Sequence, residues 1–141
     1  VSLTKGEGYG RPLAEFCLSK KPIITTGWSG HIDFLSPEFT VLLPGEIKQI
    51  HPSAVVQNML IPESGWFAVD EKAATKAMQD VFENYSKFEV GGKRQGHKIK
   101  TEYTYDAMVL VLGSYLETYV PKQVALKLPQ LKKIELPKLQ K

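Results

Sequence analysis

Thr4-Lys5-Gly6-Glu7-Gly8-Tyr9-Gly10-Arg11-Pro12-Leu13-Ala14-Glu15 runs from a loop into a helix, and its surroundings set the fold. Lys5 to Gly10 holds three glycines, which marks a loop. Pro12 suits a first helical position, and Leu13, Ala14, Cys17 and Leu18 line one face of a helix expected from Arg11 to Lys20. Upstream, Val1 to Thr4 is long enough only for the end of a strand. Downstream, Pro22 follows the helix, and the β-branched run Ile23-Ile24-Thr25-Thr26 reads as a buried strand. Gly27-Trp28-Ser29-Gly30 is a second turn, leading into a short helical stretch around His31 to Leu35. Phe39 to Leu43 is a third candidate strand, closed by Pro44-Gly45.

Strand, helix and strand at this spacing imply an α/β fold with a parallel βαβ core. The right-handed crossover then brings both glycine-containing loops to the carboxyl edge of the sheet, where ligands of open α/β sheets bind. Farther along, prolines at 44, 52 and 62 suggest an irregular, extended insertion over residues 44 to 64. Gly65 to Val69 reads as a short strand. Asp70 is a good N-cap for a helix carrying Ala74, Ala77, Met78, Val81, Phe82 and Tyr85 at helical spacing. Lys87 to Lys100 is polar and glycine-rich and is expected to be a loop. Tyr105 to Tyr119 has period-3.6 matches at Tyr105, Met108, Val109, Leu112 and Leu116, and its length favours a helix. In the tail, Leu128-Pro129-Gln130-Leu131-Lys132-Lys133 recurs as Leu136-Pro137-Lys138-Leu139-Gln140-Lys141, an expected extended basic arm over residues 121 to 141.

The chain has 141 residues, 43% apolar and 23% charged, which is ordinary globular composition and about one domain's length. The net charge of +3 is largely local, because residues 122 to 141 hold six lysines and one glutamate. A nearly neutral body gives no support to nucleic-acid binding, and the basic tail lacks the interleaved aromatics of a stacking platform. The lone Cys17 precludes an internal disulfide and fits a reducing, cytoplasmic setting. No apolar run reaches the roughly 18 residues of a transmembrane segment. His31, His51 and His97 are too scattered for a zinc site, and no Asp-x-Asp metal motif is present.

The chemistry concentrates in the opening motif. Glu7 lies in the loop and Glu15 about one helical turn in; Pro12 to Glu15 rises only about 4.5 Å along a helix axis. Both carboxylates can therefore reach a ligand at the helix start. Gly8 and Gly10 admit close backbone approach, and a helix start favours an anion. Carboxylates beside an anion site make sense for a ligand that also carries hydroxyls.

This segment resembles the glutamate-x7-glutamate motif of retaining glycosyltransferases of the two-Rossmann-domain (GT-B) architecture, the group 1 or glycogen-synthase-like family. The resemblance continues through Lys21 to Leu35, is weaker over Trp66 to Met78 and Tyr103 to Asp106, and is absent from the tail. It implies that residues 1 to 120 are the C-terminal, donor-binding part of a Rossmann-like domain, incomplete relative to a full GT-B fold. Glu7 would be the catalytic residue beside the donor sugar, Gly8, Tyr9 and Gly10 would lie against the sugar and diphosphate, and Glu15 would bind ribose hydroxyls. Lys5 and Arg11 stand near enough to help neutralise phosphates, although such residues are more often solvent-facing charges. Ser29, Gly30 and His31 are candidate contacts from the second turn. The implied activity is hexosyl transfer from a nucleotide-diphosphate sugar, with that donor as substrate and neither metal nor cofactor. Its implied partners are the remaining N-terminal domain or a second chain at the sheet edge left open at Val1. The alternative is a glycosyltransferase-like fragment retained as an interaction subunit.

Overall fold

The computed structural model describes residues 1–121; the expected basic arm lies beyond them apart from its first residue, Pro121. The chain is mixed α/β, with short parallel and antiparallel strands followed by helices. Helix α1 (Arg11–Cys17) precedes strand β1 (Ile24–Thr26), which pairs in parallel with β2 (Val41–Leu43) in the register Ile24 to Val41. On the other side of β1, Ser2 forms an isolated parallel bridge with Thr25, and its N–H donates to the Ile24 carbonyl at 2.9 Å. The expected strand end at Val1 to Thr4 is thus a single bridge. The turn after β1 winds into a 3-10 segment, Gly30–Asp33.

Burial explains the unbroken apolar character of Ile23 and Ile24. Successive strand residues face opposite sides of a sheet. Ile23 joins Cys17, Phe34, Leu35 and Ile99 in one core, whereas Ile24 joins Leu43 and Ala74 in another. Helices therefore cover both faces: α1 and α3 (Tyr85–Glu102) on one, α2 (Glu71–Glu83) on the other. Asp70 caps α2 as its sequence suggests, its carboxylate accepting from the N–H groups of Lys72 and Ala73.

Two expectations fail. Residues 45 to 49 are not irregular: strand β3 (Gly45–Gln49) pairs antiparallel with β4 (Gly65–Val69) along its whole length. Only the intervening residues follow the extended reading, with a 3-10 turn at Pro52–Ala54. The stretch from Lys87 to Lys100 is not a loop. It is the interior of the 18-residue helix α3, separated from α2 by a break at Asn84. Its glycines are places where another backbone comes close. A Cβ at Gly91 would lie 2.6 Å from the Phe39 carbonyl oxygen, at Gly92 2.6 Å from the Lys21 carbonyl, and at Gly96 2.6 Å from the Cys17 carbonyl oxygen. Each glycine costs an exposed helix about 1 kcal/mol relative to alanine. Here that cost is offset by close packing of α3 against α1 and its flanks.

Gln95 sits in the same buried face. Its amide oxygen accepts from Ser36 N–H and its amide nitrogen donates to the Phe34 carbonyl, both at 2.9 Å. This clamps the segment after the 3-10 turn onto α3. Helix α4 (Tyr105–Tyr119) follows, N-capped by the Thr104 hydroxyl, and none of its residues is buried.

Gln95→Leu should destabilise the chain by about 2–4 kcal/mol, because two buried backbone groups lose their partners; the shift in urea unfolding midpoint measures it. Burial also pushes the Cys17 thiol up to about 11 from 9.0, with a hydrogen bond from Gln95 acting in the opposite direction. Between those values the folded thiol keeps a proton that the unfolded one has lost, so this contribution to stability falls as pH rises through the window. Unfolding midpoints from neutral to alkaline pH should therefore decline more steeply in the wild type than in Cys17→Ala.

Candidate functional site

The glycine loop (Lys5 to Gly10) follows Ser2 and the turn Gly27 to Gly30 follows β1, so parallel pairing brings both to the carboxyl edge. There they are stitched together. Glu7 N–H donates to the Ser29 hydroxyl at 2.7 Å, that hydroxyl donates to the Glu7 carbonyl, and Gly30 N–H reaches the same carbonyl at 3.1 Å. Contact is so close that a Cβ on Gly30 would lie 2.0 Å from the Gly8 carbonyl oxygen. Ser29 takes a left-handed φ of 84° to make these bonds, an uncommon conformation for a side chain that is not glycine.

The side chains take different positions around this junction. Glu7 is half-buried, and its carboxylate accepts from the Thr4 hydroxyl at 3.0 Å. Thr26, at the end of β1, donates to the Thr4 carbonyl at 3.2 Å, so Glu7 is held indirectly by the sheet. Gly8 is exposed. Gly10 is buried with φ 84°, and its carbonyl accepts from Leu13 and Ala14 N–H to start α1. Tyr9 is half-exposed, with its ring 5.0 Å from that of Phe34. Phe34 in turn meets Tyr103 edge-on at 6.2 Å.

Glu15 and Arg11 form an exposed ion pair with each other at 2.6 Å. Lys5 lies 3.7 Å over the Trp66 ring. His31 is fully buried: Nε2 is 2.6 Å from the Thr26 carbonyl oxygen, which can only accept, so Nε2 carries the proton. Nδ1 is also buried, with no hydrogen-bond partner among the described residues. The structure thus gathers Glu7, Gly8, Ser29 and Gly30 at one junction and turns the His31 ring inward.

Sequence reasoning did not single out Thr4, which orients Glu7. It also gave no partner for Trp28 or Trp66. Trp28 stacks on Phe67 at 5.9 Å with rings 3° from parallel, and the Phe67 N–H donates to the Lys5 carbonyl at 3.0 Å. The β3–β4 hairpin thereby props up the start of the glycine loop. No periodic signal announces such contacts, since the partners are about 40 to 60 residues apart. A further surface adjoins the junction: a groove of about 600 Å³ between Tyr9, Tyr103 and the side of α4 bearing Met108, Leu112 and Tyr115. The Tyr103 phenol donates to the Asp33 carbonyl at 2.8 Å, and burial, then the charge of Glu102, pushes its pKa up.

The two loop glycines should respond differently to alanine. At Gly10 the left-handed φ and a Cβ 2.8 Å from the His31 Cβ predict a loss of about 2–3 kcal/mol. At Gly8 a Cβ meets nothing within 4 Å, and the change should stay within about 0.5 kcal/mol. Paired urea titrations of the two variants check this. Set against known proteins, the chain matches no family model, no curated protein and no solved structure.

Proposed function

We propose that this chain is the donor-side part of a retaining glycosyltransferase, a partial Rossmann-like core that moves a hexose from a nucleotide-diphosphate sugar to an acceptor. The observation that carries the reading is the anchored, half-buried Glu7 carboxylate beside the Gly8–Gly30 contact, at the carboxyl edge of parallel strands. A fixed carboxylate there accepts hydrogen bonds from a sugar and stabilises positive charge developing at its reacting carbon. The exposed Gly8 lets the sugar and diphosphate approach the backbone closely, with the half-exposed Tyr9 ring beside it, while the buried Gly10 shapes the turn into α1. The resemblance to the glutamate-x7-glutamate motif supports the same roles.

Glu15 is the ribose ligand in this proposal. Its partner Arg11 does not forbid that role, because an exposed, solvent-screened ion pair is weak and is readily exchanged for ligand hydroxyls. Arg11, once released, faces the diphosphate. Lys5 would have to leave Trp66, where an exposed cation–π contact contributes about 0.5–1 kcal/mol. A second reading, an interaction subunit of glycosyltransferase-like ancestry, is favoured by the exposed apolar surface of α4.

Calorimetric titration with nucleoside-diphosphate hexoses separates the two. The enzymatic reading expects binding that weakens about tenfold or more in Glu15→Ala. It further expects Glu7→Gln to keep binding while transfer or donor hydrolysis drops about a hundredfold. Absence of binding to every donor, or equal affinity in Glu15→Ala, would sink it in favour of the second.

A further inference from the structure

Helix α4 spans 15 residues without burying one of them. Its apolar residues nonetheless follow a strict order. Tyr105, Met108, Leu112, Tyr115 and Tyr119 are spaced three, four, three and four residues apart, with Val109 and Leu116 alongside. At about 100° per residue this is a continuous seam along one side of the helix, of the kind that receives a second helix. The two charged residues, Asp106 and Glu117, are eleven positions apart, about three turns, and so share the opposite side. The seam itself carries no charge and meets a copy of itself without repulsion.

The exposed area is of the right size. Tyr105 and Tyr119 are each 76% exposed, and the other five seam residues are about half-exposed. Together the seven leave on the order of 800 Å² in water, close to the roughly 800 Å² per partner of a standard-size interface. The groove beside Tyr9 and Tyr103 shares Met108, Leu112 and Tyr115 with the seam. An incoming helix would therefore touch body and helix at once, and a two-fold axis would repeat the contact on both copies.

We propose that α4 is a dimerisation element, its seam packing against the α4 seam of a second copy of this chain. The surface borders the Glu7 junction through Tyr9 but includes neither Glu7 nor Glu15, and the inference does not rest on the proposed activity.

Sedimentation velocity of the full 141-residue chain at tens of micromolar tests it. The wild type is expected to be a dimer. Leu112→Glu should raise the dissociation constant about tenfold or more with circular dichroism unchanged. Leu110→Glu alters a side chain that is 75% exposed but lies on the acidic side, and should leave the dimer intact. Should Leu112→Glu lose helix content, Met108→Lys takes its place. Four results would overturn the inference: a wild-type monomer, association unaffected by seam variants, equal disruption by Leu110→Glu, or a monomer that instead co-sediments with phosphatidylcholine–phosphatidylglycerol vesicles.

Discussion

Burial of Ile23 and the following strand β1 on both faces is the constraint from which the other elements follow. Extended backbone with Ile23 in one core and Ile24, the first residue of β1, in the other cannot be left open on either side. Covering it takes α1 and α3 on one face and α2 on the other. The neighbouring backbone at Ser2 and in β2 then runs parallel to it, and every loop leaving a carboxyl end opens on the same edge. The juxtaposition of the glycine loop with the Gly27 to Gly30 turn is a consequence of that geometry. Short hydrogen bonds between Glu7, Ser29 and Gly30 then fix it.

The same packing accounts for the largest departure from the sequence reading. Glycine carries one local signal, conformational freedom, and so Gly91, Gly92 and Gly96 amid lysines look like a loop. In the folded chain their missing side chains serve another purpose: they let α3 lie against the backbone at Phe39, Lys21 and Cys17. Local propensity disfavours a helix there, and close contact with non-local segments overrides it. Gln95, polar and unremarkable in sequence, occupies the centre of that contact because two backbone groups need its amide.

At the candidate site, position was more legible than engagement. The spacing of glycines and glutamates was sufficient to place Glu7 in a loop, Glu15 in a helix and both loops at one edge. It could not indicate that Thr4 holds Glu7, that Arg11 and Glu15 pair, or that His31 turns inward to the Thr26 carbonyl. Each partner lies within five residues, so those outcomes depend on how the local side chains are turned and on which of them remain exposed to water. In the same way, the 3.6-residue rhythm of α4 is visible in the sequence, whereas its lack of burial is not.

The sequence alone determined what short-range physics controls: the glycine loop, the start of α1, the Asp70 cap, the apolar strand and the amphipathic rhythm of α2 and α4. Tertiary structure decided the β3–β4 pairing, the helical state of residues 85 to 102, the Lys5–Trp66 contact and the burial of the His31 ring. The reason is range. Capping, periodicity and turn chemistry act within a few residues, whereas the fate of the α3 glycines and of Lys5 is set by the backbone or ring that packs against them from far along the chain.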